Sequence, residues 1–310
     1  MASTNFVVSS LPAYVQENRD LIIKNFALVG TATRKRITIQ TGIKGSEHLN
    51  YLGLGVTLQD GSDCGFNAAG EVALTQRTIT TALIKAQDDI CPKKLRGKWA
   101  EYLISIAATE NDLPFERYIV DTLIAEVNKK IEKLIWQGDT TLSTNTDLKW
   151  IDGFIAQFDA DSDVVDVTLA YGTSAYNAIK AVYMALTDEA IERGAEIFVS
   201  PANYRAFLQD MVEKNYFHYS GPQDAAPEEF VFPGTEVKVV KTPGLVGVNN
   251  KIVGTWPKNL VYGCDAENDN EVVDLWWSQD DRVFKYDVEW NSGVSYYFPS
   301  HIVLGTIAAE

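Results

Sequence analysis

The 310-residue sequence predicts an α+β protein, and three observations carry that expectation. Stretches rich in Val, Ile, Thr and Leu, partly alternating with polar residues, run from Arg36 to Leu83 and read as strands. One amphipathic pattern extends from Leu113 to Gln137 and reads as a single long helix. Beyond it, short strand and helix signals alternate without the regular βαβα order of a doubly wound parallel sheet.

Taken in order, the N-terminal residues mix short apolar pieces with Ser, Asn and Pro12 and predict an extended arm. "ITIQTGI", "LGVTLQ" and "VALTQRTITTALI" then read as strands. The "DGSDCGFNAAGE" between the last two, with Asp60-Gly61, Gly65 and Gly70, is turn chemistry at the tip of a long hairpin from Tyr51 to about Ile84. Lys94 to Ile106 looks helical. In the long helix, Asn111 or Asp112 can cap, Pro114 suits the first turn and Glu116 the positive end. Ile119, Val120, Leu123, Ile124, Val127, Ile131, Leu134 and Ile135 form one stripe, and Lys129, Lys130 and Lys133 favour the negative end. Gly138 is expected to end the helix in a left-handed conformation. At about 1.5 Å per residue the helix is a beam of roughly 37 Å.

After a polar loop ending at Trp150, Val164 to Leu169 reads as a strand. Thr173 or Ser174 caps a helix to Leu186, Thr187 caps another that stops at Gly194, and Ser200 with Pro201 opens a third after the strand "EIFV". Further strands are expected at Glu236–Lys241, Lys251–Gly254, Leu260–Tyr262, Glu271–Trp277 and Arg282–Trp290, before an apolar C-terminal stretch.

The charge of -15, from 42 acidic against 27 basic residues, argues against an electrostatic grip on nucleic acid or anionic lipid. The basic runs Arg34-Lys35-Arg36 and Lys93-Lys94 read as solvated faces. No apolar stretch reaches the roughly 20 residues that span a bilayer, and the N-terminus lacks the pattern of a secretory signal, so a soluble protein is expected. Cys64, Cys91 and Cys264 are odd in number and widely spaced, which supports neither a disulfide framework nor a zinc ribbon and fits a reducing compartment.

Catalytic motifs are scarce. His48, His218 and His301 are isolated, and neither a phosphate-binding loop nor a nucleophile elbow occurs. Gly53-Leu54-Gly55 is too short for a dinucleotide turn. Asp159, Asp161 and Asp163, like Asp265, Glu267 and Asp269, have the opening spacing of a calcium loop, but Ala170 and Trp276 stand where its closing Glu belongs, so both read as solvated loops. Cys64 has no basic neighbour to activate it. No catalytic, cofactor-binding or metal-binding residue is expected.

The order of the elements is more specific than any one of them. A long hairpin, a beam helix ending in "WQGD", a polar loop leading to "WIDGF", then "IFVSPANYRAFL", "TPGL", "NLVYGCD" and "DDRVFKYDVEWNSGVSYYFPSHIVL" together resemble the major capsid protein of tailed bacteriophages, from about Arg36 onward. That family has the fold named after phage Hong Kong ninety-seven.

The resemblance implies an N-terminal arm (1–45), an extended hairpin loop (46–92), a peripheral domain (93–163) with its spine helix at about 112–137, an axial domain (164–270) and closing strands (271–310) returning to both. It implies a non-enzymatic structural subunit that assembles with itself, as hexamers and pentamers, into an icosahedral shell around double-stranded DNA, found in the virion after assembly in the host bacterial cytoplasm. DNA would be enclosed without sequence-specific binding, and no membrane would be involved. A separate scaffold protein and a portal are expected partners, and decoration proteins are possible ones. Some relatives join subunits through a hairpin lysine and an asparagine. Here the tip from Asp60 to Glu71 has no lysine and the turn Asp280–Val283 no asparagine, while Lys44 and Asn291 sit elsewhere, so no such bond is expected. The encapsulin nanocompartment shell, which encloses an enzyme cargo, shares the fold and is the alternative.

Overall fold

The computed structural model describes residues 32–55, 57–58, 71–90, 115–144, 147–214, 229–265, 272–281 and 283–309. The expected helix at Lys94–Ile106, most of the hairpin tip, the capping candidates Asn111 and Asp112, Cys64, Cys91, His218, Glu267 and Asp269 lie outside them.

The long amphipathic pattern forms helix α1 (Phe115–Gln137). Val127, Ile131, Leu134, Ile135 and Trp136 are buried, which places the stripe from Val127 onward against the core. The lysines do not serve the helix end: none lies in the last turn, and Lys130 instead pairs with Asp147 of the following loop while Lys129 sits 3.6 Å from Glu126.

Two sheets flank the helix end. The first has the order β1 (Thr38–Gln40), β10 (Leu260–Gly263), β12 (Val283–Tyr296), β11 (Val272–Ser278), with β4 (Ala82–Ile90) also on β12. The second is a mixed sheet in the order β5 (Val165–Leu169), β13 (Val303–Ile307), β9 (Lys251–Thr255), β6 (Glu196–Val199), β8 (Lys238–Lys241), β7 (Glu229–Val231). Helices α3 (Ala175–Ala185) and α5 (Pro201–Glu213) cover this second sheet, with Ile179, Val182, Phe207 and Met211 in its core. Ser174, Thr187 and Ser200 cap α3, the short α4 (Asp188–Glu192) and α5, each hydroxyl accepting from the amide three residues on, as their sequence positions predict. Gly194 ends the α4 region at φ +81. The molecule is α+β.

Among the described residues the remaining two strands, β2 (Ser46–Gly55) and β3 (Glu71–Thr80), pair only with each other, as an antiparallel ribbon in which Ser46 faces Thr80 and Gly55 faces Glu71. Four expectations need correction here. The ribbon starts five residues before Tyr51, and "VALTQRTITTALI" is not one strand: it breaks at Thr81, after which Ala82–Ile90 leaves the hairpin and pairs with β12. Residues 32–45 do not behave as a free arm, because Thr33, Arg34 and Ile37 are buried and β1 runs parallel to β10 inside the first sheet. Gly138 is not left-handed; among the described residues the glycines with positive φ are Gly42, Gly45, Gly172, Gly194, Gly234 and Gly247.

Candidate functional site: the spine loop and the hairpin root

Gly138 serves close approach, not helix reversal. A Cβ there would lie 2.7 Å from the Leu134 carbonyl and nearer still to that of Ile151. Its partner in this contact is Gly153, where a Cβ would meet the Gly138 nitrogen at 2.7 Å and the Ile135 carbonyl at 2.8 Å. Two side-chain-free positions let the chain leave the helix and return across its own exit, with Gly153 donating to the Gly138 carbonyl at 2.8 Å and Asp139 to Leu148 at 2.8 Å.

The two aspartates beside these glycines shape the loop between them. Asp139 accepts from the Thr141 amide and hydroxyl at 2.8 and 2.6 Å, and these bonds hold its carboxyl below the ordinary carboxylate range. Asp152 accepts from the amide and hydroxyl of Thr140, both at 2.8 Å. "GD" and "DG" thus close a loop whose form depends on its own residues. Behind it, Trp136 meets Phe154 edge-on and Phe198 at a tilt, each with centroids 5.3 Å apart, and its ring N–H donates to Thr33 Oγ1 at 2.7 Å.

The basic run is not a solvated face. Only Lys35 is exposed. Arg34 is buried and donates to Asn128 Oδ1 at 2.7 Å, and Arg36 bridges Glu196 at 3.0 Å and Glu229 at 2.8 Å, tying the entry to the first sheet onto strands of the second. Burial pushes the Glu196 carboxyl above its ordinary range against the pull of Arg36, whereas the hydrogen bond from Arg36 holds Glu229 below.

The hairpin is fastened at its root. Thr81 donates its amide to the Gly45 carbonyl at 2.6 Å, and Gly45 takes φ +93, so the chain enters and leaves the ribbon through one hydrogen-bonded pair. Leu49 and Ile79 pack with Ile43 and Val261, and Tyr51 meets the Phe298 ring edge-on at 4.1 Å. Arg77, on β3, pairs with Asp161 and lies over the Tyr296 ring, with Cζ 4.0 Å from the centroid, while Tyr296 donates to Asp161 at 2.7 Å. Burial disfavours the Asp161 charge, but hydrogen bonds from Arg77, Tyr296 and the Asp163 amide outweigh it and hold the carboxyl below its ordinary range. Burial and the bond to Asp161 push the Tyr296 hydroxyl well up. The root of the ribbon is thus covered by its own subunit.

The acidic triplet disperses. Asp159 pairs with Lys251, Asp161 with Arg77, and exposed Asp163 only turns its own amide to Asp161. Among the described residues no group of three or more His, Cys, Asp or Glu side chains could hold a metal ion. His48 meets Thr78 on the ribbon, and His301 meets Thr187 at 2.7 Å. Cys264 is buried and is not part of a disulfide. No described helix is long and apolar enough to cross a membrane.

Buried Glu132, which accepts from the Thr33 amide at 3.2 Å, escapes the sequence reading. Its signal is the i, i+4 series Asn128, Glu132, Trp136, a polar line beside the apolar stripe that meets the buried turn at Thr33 and Arg34.

No protein-family model and no curated protein sequence matches the chain. Solved structures do match it along nearly its whole length. A chain of the satellite phage P4 procapsid that includes the size determination (Sid) protein aligns with 12% identity and a TM-score of 0.61, over 95% of this chain and 100% of that one. The capsid of a native GTA particle aligns with 11% identity and a TM-score of 0.54, over 90% of each chain. A virus-like particle from Pyrococcus furiosus aligns with 12% identity and a TM-score of 0.50, over 96% and 97%. The chain has the fold of phage capsid proteins.

Proposed function

We propose that this chain is the major shell subunit of a tailed bacteriophage, which assembles with itself into an icosahedral capsid around double-stranded DNA. The observation that carries the reading is end-to-end correspondence with a phage procapsid chain, complete on that side and nearly so on this. The ribbon β2–β3 agrees with it: it pairs with no other strand, and Leu58 near its tip is 93% exposed, the condition of a segment built to be covered by a second copy.

In this reading α1 is the spine of a peripheral domain, the sheet around β9 and β6 with α3 and α5 is the axial domain, and residues 46–80 are the extended loop. A separate scaffold protein, a portal and decoration proteins are its proposed partners, and the virion its location. The net charge of -15 suits a wall that confines nucleic acid without adhering to it.

A second reading, a nanocompartment shell enclosing an enzyme cargo, takes support from the match to the Pyrococcus furiosus particle. Electron microscopy of the purified chain, with analysis of particle contents, separates them. Closed shells containing DNA are expected when the protein is made with its phage partners; shells loaded with a protein cargo would favour the second reading, and a monomer under all conditions would overturn both.

A further inference from the structure

Beyond the loop 139–150, the described structure holds a polar cluster in which the two-stranded ribbon is gripped by groups of its own subunit. The body side of this grip is rigid. Asp161 is the C-cap of α2 (Phe154–Ala160), its amide donating to Phe158 at 3.3 Å. Tyr296 ends β12, and its ring meets Phe158 edge-on at 5.1 Å. The ribbon side is a single residue, Arg77, three positions from the end of β3.

The pivot is equally well defined. Gly45 and Thr81 close the root, and Gly293 of β12 lies against them so tightly that a Cβ there would meet the Thr81 Cα at 3.0 Å. A positive-φ glycine just before β2 and a bare glycine beneath the end of β3 allow the ribbon to change pitch without driving a side chain into its support.

We propose that Arg77, Asp161 and Tyr296 form a latch that sets the pitch of the hairpin, and that releasing it lets the ribbon swing about Gly45, Thr81 and Gly293. The latch is well suited to this. The guanidinium is held from its edge by a carboxylate and from its face by a phenol ring, so both hydrogen bonding and stacking fix its direction. It stands beside an open hollow lined by Gln157, Ala160 and Ser162, so water or a group from a neighbour can reach it. The remaining root contacts, Leu49 and Ile79 on Ile43 and Val261 and Tyr51 edge-on to Phe298, carry no ion pair and tolerate a change of angle better than a directed ion pair does. Partial occupancy of the unlatched state would let one subunit type adopt the several hairpin angles that unequal positions in a closed shell require. This last step rests on the proposed function; the latch itself does not.

The test uses the full-length, unassembled chain with spin labels carried on unnatural amino acids at exposed Thr57 and Ser143, which avoids the native cysteines. A single narrow distance distribution is expected in the wild type. Arg77→Met, which keeps the stem and removes the charge, and Asp161→Asn should each broaden and shift it. The double variant should do so no further than either alone, since both remove one interaction. Tyr296→Phe, which loses only the hydroxyl, should give an intermediate broadening if a harsher variant fails to fold. Gln76→Ala, one residue away and bonded only across the ribbon to Asn50, is the control and should change nothing. Unchanged distributions in Arg77→Met and Asp161→Asn, or equal broadening in the control, would overturn the latch. Because the distances are read in single subunits, failure to form shells would count against the proposed function and leave this result standing.

Discussion

Gly138 and Gly153 face each other across the exit of the long helix, joined by a 2.8 Å hydrogen bond from the amide of one to the carbonyl of the other, with no room for a side chain at either. The contact explains why the helix stops where it does: the returning chain occupies the space that a further turn would need.

Gly153→Ala should therefore destabilise the fold by about 3 kcal/mol, the scale of overpacking against backbone that cannot yield. Chemical denaturation of the unassembled chain measures it. A loss below about 0.5 kcal/mol, as for an ordinary surface change, would show that the crossing is looser than described.

Ser200 accepts from the Asn203 amide at 3.2 Å as the cap of α5 and donates to Asn249 Oδ1 at 2.8 Å, while fully buried. Ser200→Ala removes both bonds and should cost about 2 kcal/mol. Ser200→Thr, which keeps the oxygen, should recover part of it, as thermal unfolding of the two variants would reveal.

Asp161 gives the pH dependence its sign. Its folded pKa lies below the ordinary value, so its stabilisation is complete above the unfolded pKa and disappears as pH falls through the folded one. The groups that face it are the Arg77 guanidinium, the Tyr296 hydroxyl and the Asp163 amide, and none of them titrates in that range. Wild type should exceed Asp161→Asn by about 2 kcal/mol at neutral pH, and the gap should close below about pH 4. A gap independent of pH would mean that the carboxylate charge is not what holds Arg77.

Leu54 stands opposite Val72 in the ribbon, so an Asn-Gly turn between them truncates the hairpin without changing its register. The root contacts of Leu49, Arg77 and Ile79 are left in place. The variant should fold and remain soluble but form no complete shells. Normal particles in electron micrographs would remove the hairpin from the assembly mechanism.

Asn291 is buried opposite Leu83, and Lys44 is exposed at the bend before β2, which leaves Asn291 out of a neighbour's reach. Mature particles boiled in detergent should run as one band at the 34.4 kDa of the subunit; a ladder of multiples would show a covalent bond between subunits.

What the sequence made legible was what depends on neighbours in the chain. The capping serines and threonine, the stripe from Val127 to Ile135 and most strands after Val164 follow from local pattern and stand where that pattern puts them, whereas β7 carries no such signal. Gly138 misled because a glycine after a helix usually supplies a positive φ, and the competing reason, a second glycine fifteen residues on, is visible only once the loop is closed. Arg34 and Arg36 misled for the same reason. Their partners Asn128, Glu196 and Glu229 are distant in sequence, and a basic run with unknown partners reads as solvated. The break at Thr81 was hidden because β3 and β4 share one strand-forming composition, and only pairing distinguishes them.

Strand β12 has a mechanical consequence. All fourteen of its residues are paired on at least one side: Val283–Glu289 with β11, Phe284–Ser292 with β4, and Gly293–Tyr296 with β10. At about 3.3 Å per residue it spans roughly 46 Å, from its turn with β11 to the ring that meets Arg77. Its partners run along it, so a pull on either end loads many ladder hydrogen bonds together in shear, where a pull at right angles would unzip them one by one. In the proposed shell, tension directed along β12 would be carried by these bonds together, and the strand would serve as a tie-bar across the subunit.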